Sequence, residues 1–212
     1  MLALLFEVTP KTDGYQRYLD IASTLRPALE THDGFLFIDR YRSLSRPDTI
    51  LSHSLWRDEA ALTAWRTFEP HHHAQVAGRN QVFIDYRLRI ADVALARMPG
   101  EPDWRPARPS SYNDPSEGPP RHLVIATSSG SPCGGAPSDR FESLNQPGEF
   151  LSLYDVHDQE AAVSLLDTLA SAPSDGAVLT SLRLCEVERD YGMFDRREAP
   201  QYYPPKCRVD GS

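Results

Sequence analysis

The sequence predicts an α+β protein of two tandem ferredoxin-like halves, each a β-α-β-β-α-β unit, joined by a proline-rich arm. Three observations predict it. Strand-like and helix-like hydrophobic periods alternate in that order through the first half of the chain. The same order returns in weaker form at offsets of about 96 to 101 residues, the mark of a degenerate internal duplication. Between the copies lies a stretch dense in Pro, Ser and Gly with no apolar period. The boundaries read as 1–98 for the first half, 99–120 for the arm, 121–200 for the second half and 201–212 for a tail.

The elements follow in order. "LALLFEVT" is an apolar run of buried-strand type. In "TDGYQRYLDIASTLRPALETHDG", Tyr15, Tyr18, Leu19, Ala22 and Leu25 recur at helical spacing, with Asp13 as a candidate N-cap and Pro27 as a kink or stop. "GFLFIDRYRSL" and "TILSHSLW" are strands joined by the turn signal "SRPD". "DEAALTAWRTF" is a helix led by Asp58, with Ala61, Leu62 and Trp65 along one face. "VFIDYRLRIADVAL" is the last strand of the first half. In the arm, Trp104 and Tyr112 favour a segment that wraps the protein over a free linker.

After the arm, "HLVIATSS" resembles the first strand. "EFLSLYDVHDQEAAVSLLDTLAS" parallels the strand and helix from Thr49 to Phe68, and "LTSLRLCEVE" parallels "IDYRLRIADV". The first helix of the second copy is missing. "SGSPCGGAPSDRFESLNQPG" stands in its place and reads as a long loop with one turn near Arg140 to Leu144.

Charge and cysteine content bound the function. The formal net charge of -8 argues against a general nucleic-acid binder, whose affinity comes from basic residues facing phosphates. It also argues against a polybasic membrane-surface protein. The apolar start lacks a basic leader and is interrupted by Glu7, so it reads as a strand and not as a signal peptide. Three widely spaced cysteines suit thiols in a reducing compartment, so a cytoplasmic location is expected.

"LLFEVTP", "LSHSLWRDEAALTAWR", a histidine before "AQVAGR", and "FIDYRLRIADV" together resemble the antibiotic biosynthesis monooxygenase superfamily. That group of dimeric α/β barrels also holds haem-degrading monooxygenases. The likeness covers residues 2–95 and extends weakly over 122–200 through the repeat. "ERDYGMFDRREAP" looks like the C-terminal tail of single-domain members. The resemblance implies two sheets packed into a barrel, either inside one chain as a pseudo-dimer or across a homodimer.

Within this frame a few residues stand out. His71, His72 and His73 are consecutive. Successive helical residues point about 100° apart, so the three cannot share one pocket, and no metal site is expected. His72 and His73 read as surface. His71 either closes a helix end or works in a pocket. His53 alternates with Leu51 and Leu55, so it could be an inward general base or could satisfy a carbonyl. Glu7 is a carboxylate in an apolar strand, which lines a pocket unless the strand bares one face. Arg87 and Arg89 share the face opposite Tyr86 and could clamp an acidic substrate or face solvent. Trp56 and Trp65 could be plain core or the walls of an aromatic site.

In cofactor-independent members, the resemblance implies that a Trp, an Asn and an Arg position a phenolic polyketide whose anion itself reduces oxygen. Carried onto this chain, His53 or His71 is the base and Arg79 or Arg87 the oxyanion partner. Glu7, Trp56, Trp65 and Tyr86 surround a small aromatic substrate. No organic cofactor is expected. The alternatives are a haem-binding or haem-degrading protein using His71, and a non-catalytic ligand-binding or stress module.

Overall fold

Both faces of the first strand, β1 (Leu2–Pro10), are covered. Ala3 and Leu5 point into one apolar cluster, while Leu2 and Leu4 point into another. This double burial follows from the architecture seen in a computed structural model, which describes residues 1–107, 121–204 and 206–207. Helix α1 (Gly14–Glu30) follows, then β2 (Phe35–Ser43), β3 (Ile50–Trp56), α2 (Glu59–Thr67), α3 (Glu69–Ala77) and a π-helical turn, Gly78–Val82. The long strand β4 (Phe83–Arg97) ends the first half. The second half supplies β5 (His122–Ser129), β6 (Asp139–Ser143), β7 (Glu149–Val156), α4 (Gln159–Ser171) and β8 (Val178–Gly192).

The eight strands close into one barrel in the order β1-β3-β2-β6-β7-β5-β8-β4. Each half contributes the ferredoxin-like sheet order, β4-β1-β3-β2 and β8-β5-β7-β6. The halves meet at two antiparallel seams, β2 with β6 and β4 with β8. The barrel is therefore made within one chain, and its core mixes Leu5, Leu51 and Ala91 with Ile125, Phe141 and Leu151. The two halves also share their helix caps. Asp58 accepts from the Ala61 amide at 2.8 Å, and Asp158 accepts from the Ala161 amide at 2.8 Å.

The structure sharpens or corrects the sequence reading in four places. Pro27 lies inside α1, which runs on to Glu30, and Asp13 occupies the N-cap position without a side-chain cap bond. The histidine stretch does not end the Asp58 helix. That helix breaks at Phe68 (φ -59, ψ 121), and α3 starts anew with Pro70 in its first turn, where a missing amide hydrogen costs nothing. The segment expected as loop carries β6, with Asp139, Phe141 and Ser143 buried on alternate positions. Without this strand neither seam partner of β2 nor barrel closure would exist.

The arm begins by folding back. Trp104 forms a two-way backbone bridge with Ala96 at 2.8 and 3.0 Å, and Asp103 pairs with Arg97. Tyr112 and the rest of the arm to residue 120 lie outside the described residues. No described helix is long and apolar enough to cross a membrane. Cys133, Cys185 and Cys207 are free thiols.

The outer faces of the two half-sheets differ. On the second half, α4 lays Leu166 and Leu169 against Val124, Leu182 and Leu184, and Tyr154 and Cys133 complete a filled layer. On the first half, α1, α2 and α3 stand off the sheet and leave a cavity.

Candidate active site

The cavity lies between the outer face of the first-half sheet and its three helices, with a volume of about 210 Å³. Strand alternation decides what enters it. Leu4 and Phe6 from β1, Ser52, Ser54 and Trp56 from β3, and Tyr86, Leu88 and Ile90 from β4 all face this side. The helices add Tyr18, Trp65, Arg66 and His71. Gly78 belongs to the wall because a Cβ there would lie 2.6 Å from Cε2 of Phe83.

Trp65 is the centre of an aromatic stack. His71 lies on it with ring centroids 4.7 Å apart and planes 21° from parallel, and Phe68 stacks at 5.5 Å. Trp56 is tilted against Trp65 at 6.4 Å and donates its indole N–H to Ser54 Oγ at 3.0 Å. The break at Phe68 is what turns α3 so that His71 can double back onto the indole.

His71 Nδ1 lies 2.9 Å from the Trp65 carbonyl oxygen. That carbonyl can only accept, so we assign the proton to Nδ1. Gln75 Nε2 sits 3.1 Å from the same nitrogen and donates instead to the Arg66 carbonyl, also at 3.1 Å. The Nε2 lone pair of His71 is thereby left uncommitted. Burial pushes the His71 pKa down to about 4, partly opposed by the Trp65 hydrogen bond. The imidazole is neutral at physiological pH.

Two neutral buried histidines make the fold acid-sensitive. His53 is pushed down to about 3 by burial and by the Arg183 charge. Both folded values lie below the unfolded value of about 6.5, so between them the unfolded chain binds more protons. Stability is therefore complete above pH 6.5 and falls as the solution is acidified toward pH 4. The His71 share is roughly 3 kcal/mol across that window. Urea midpoints at pH 7 and pH 4.5 should differ accordingly, and by less in His71→Gln. Equal midpoints would show that neither imidazole is held neutral.

Five of the eight sequence-predicted residues meet at the cavity: Trp56, Trp65, His71, Arg79 and Tyr86. Arg79 is buried in the π-helical turn, but its guanidinium is largely occupied. Nη1 donates to Tyr86 Oη and the Met193 carbonyl, both at 3.0 Å, and Nη2 donates to the Pro204 carbonyl at 2.9 Å. Its backbone oxygen accepts from Lys206. Arg79 thus fastens the C-terminal tail over the cavity.

The other three residues lie elsewhere. His53 alternates with Ser52 and Ser54 and points with Leu51 and Leu55 into the barrel, its Nδ1 3.3 Å from the Leu4 carbonyl oxygen. It cannot reach a substrate in the cavity. Glu7 points the same way and accepts from Arg89 at 2.7 Å and Arg46 at 2.8 Å, so it is a barrel-end ion partner and not a pocket wall. Arg87 forms a two-point pair with Asp190 at 3.0 and 2.6 Å on the barrel side of β4. Arg87 and Arg89 do share a face opposite Tyr86, but it is the face without the cavity.

Sequence reasoning missed the tail. Arg196, Gln201 and Tyr203 line the cavity, and the Tyr203 ring lies between the guanidiniums of Arg79 and Arg196 at 5.3 and 5.0 Å. It also missed Arg66 and Arg40. The only signals available were Arg40 before Tyr41 and Arg66 after Trp65, a pattern too common to single out.

Fold and site define a class: a single-chain α/β barrel with a cavity outside the barrel, between the first-half sheet and its helices. A model of the antibiotic biosynthesis monooxygenase family matches residues 1–77. The chain is 35% identical over 225 aligned residues to a protein of Pyricularia oryzae named jasmonate monooxygenase, across 97% of this chain and 99% of that one. The chain belongs to the antibiotic biosynthesis monooxygenase family. Among solved structures, an anthrone oxidase-like protein overlaps 94% of this chain and 96% of its own at 10% identity and a TM-score of 0.39. A structure described as an antibiotic biosynthesis monooxygenase overlaps 43% of this chain and 97% of its own at 17% identity and a TM-score of 0.39.

Proposed function

We propose that this chain is a monooxygenase of small, apolar, ionisable molecules, with His71 as the base and no organic cofactor. One observation carries the reading. A neutral imidazole, fixed through Nδ1 and flat against Trp65, lines an apolar cavity, and its Nε2 has no hydrogen bond among the described residues. The name of the Pyricularia oryzae relative makes jasmonate, a compact ketone bearing a carboxylate, the first candidate. An aromatic ketone or phenol is the second, since Trp56, Trp65 and Tyr18 supply flat walls.

The chemistry asked of the protein is modest. A methylene beside a carbonyl or phenol loses a proton to His71, and the resulting anion gives electrons to dioxygen. Over the whole reaction the methylene supplies two hydrogens and four electrons. One oxygen atom becomes the new carbonyl and the other leaves as water. Tyr86 Oη accepts from Arg79 at 3.0 Å and from Arg196 at 2.9 Å, so its own proton is free to meet an oxyanion in the cavity. Apolar walls exclude water and strengthen that hydrogen bond.

The test is mass spectrometry of products formed from jasmonate and from an anthrone-type ketone under heavy-isotope oxygen, using purified protein without added cofactor. Incorporation of one oxygen atom, lost in His71→Gln, is the expected result. Tight binding without oxygen-dependent conversion would make the chain a ligand-binding module. A Soret band on adding haemin, lost in His71→Ala, would assign a haem protein instead.

A further inference from the structure

The cavity is apolar, yet among the described residues four arginines and no Asp or Glu line it: Arg40, Arg66, Arg79 and Arg196. Two of them have uncommitted donors. Nε and Nη1 of Arg66 are buried with no hydrogen-bond partner among the described residues, and so is Nε of Arg196. The nearest carboxylate to Arg66 is Glu59, 3.9 Å away, and its Oε1 is taken by Arg189 at 2.7 Å. Arg196 is held in place by other contacts. Its Nη2 donates to the Gln201 carbonyl at 2.8 Å, its Nη1 to Tyr86 Oη, and its guanidinium lies over the Tyr191 ring at 5.3 Å. Buried guanidinium N–H groups left unpaired are costly, and an apolar wall gives them nothing to bond.

We propose that Arg66 and Arg196 form an anchoring subsite for a carboxylate on the substrate. This rests on the reading of the cavity as a substrate site and adds the residues that select, among small apolar molecules, those with a carboxylate at one end. Planar guanidiniums match carboxylate oxygens with directed, charge-assisted bonds. The arrangement divides the labour. The anion is fixed beside the tail, and the apolar body lies along Trp56 and Trp65 toward His71. Burial holds the Tyr191 phenol protonated, its pKa raised to about 12, so it adds no competing negative charge beside the two arginines. Arg66 is a binding and specificity residue, distinct from the base.

Binding of naphthylacetate and of its methyl ester, followed by quenching of tryptophan fluorescence, tests the assignment on the full chain. The acid is expected to bind about ten- to hundred-fold more tightly than the ester, the scale of a hydrogen bond to a charged group. Arg66→Met should erase that preference by weakening the acid much more than the ester, and Arg66→Lys should restore part of it. Arg196→Met should show the same pattern if it folds, and circular dichroism checks that. Equal affinity for acid and ester in the wild type overturns the proposal. So does binding of neither probe, or a preference that survives Arg66→Met. A parallel loss of both ligands in Arg66→Met makes Arg66 structural and also overturns it. Acid preference without oxygen incorporation removes only the oxygenase reading, whereas turnover of neutral substrates without acid preference removes only the carboxylate subsite.

Discussion

His71→Gln is expected to lower turnover by about 100-fold or more, the usual contribution of a positioned general base. The loss should fall on kcat, with KM little changed, because Trp56 and Trp65 still hold the substrate body. The pH profile is the sharper check. A base with a pKa of about 4 must be deprotonated to act, so wild-type kcat/KM should fall only as the pH drops through about 4. An ordinary exposed histidine would place that limb near 6.5. A limb near 6.5, or a His71→Gln variant with wild-type turnover, would remove His71 from the chemistry. So weak a base suits a substrate that is itself acidic, one whose anion is stabilised by neighbouring donors such as Tyr86.

Glu7→Ala should cost about 3–5 kcal/mol of folding stability, the penalty for breaking a buried ion pair and stranding one partner. Glu7 accepts from Arg89 and Arg46, and the Arg89 side chain is only 3% exposed with Nε lacking a hydrogen-bond partner among the described residues. After the substitution Arg89 keeps only the half-exposed Asp155 at 3.0 Å. Glu7→Gln retains shape and one acceptor and should lose less. Urea titration at constant slope measures both, and a Glu7→Ala midpoint within experimental error of wild type would show that the barrel end tolerates an unpaired guanidinium. Oxygenase activity of the folded fraction should survive, since Glu7 lies across the sheet from the cavity.

The contrast between these two residues shows where the sequence was readable. The first-half strands, α1 and α2 followed from hydrophobic period and from capping residues such as Asp58, whereas α3 and the π-helical turn did not. Strand alternation correctly grouped His53 with Leu51 and Leu55, and Arg87 with Arg89. It could not say which group faces the cavity. A sheet with barrel core on one side and helices on the other is buried on both, so polarity no longer marks a face, and every residue of β3 is buried. Hence Glu7, His53 and Arg87 were assigned to the wrong side. β6 was illegible for a related reason. Its inward positions are Asp139, Phe141 and Ser143, and the two polar ones are satisfied by partners about a hundred residues away. Asp139 accepts from Ser43 and Arg46, and Ser143 donates to Asp39. Long-range pairing of this kind leaves no local pattern. The role of the tail was hidden in the same way, because Arg196 and Tyr203 acquire meaning only when Arg79 lies beside them.

The two seams between halves have a consequence for how the protein behaves on dilution. In a barrel assembled from two chains, closure is a bimolecular event, and the population of closed barrels falls as the concentration drops. Here the second sheet is tethered to the first by the arm, so closure is intramolecular. A covalent connection sets an effective concentration that does not depend on how much protein is present. In the second half the outer sheet face is filled by α4, whereas in the first half the same face borders the cavity. Closure of this barrel therefore does not weaken on dilution, whereas a barrel made of two chains opens as its halves separate.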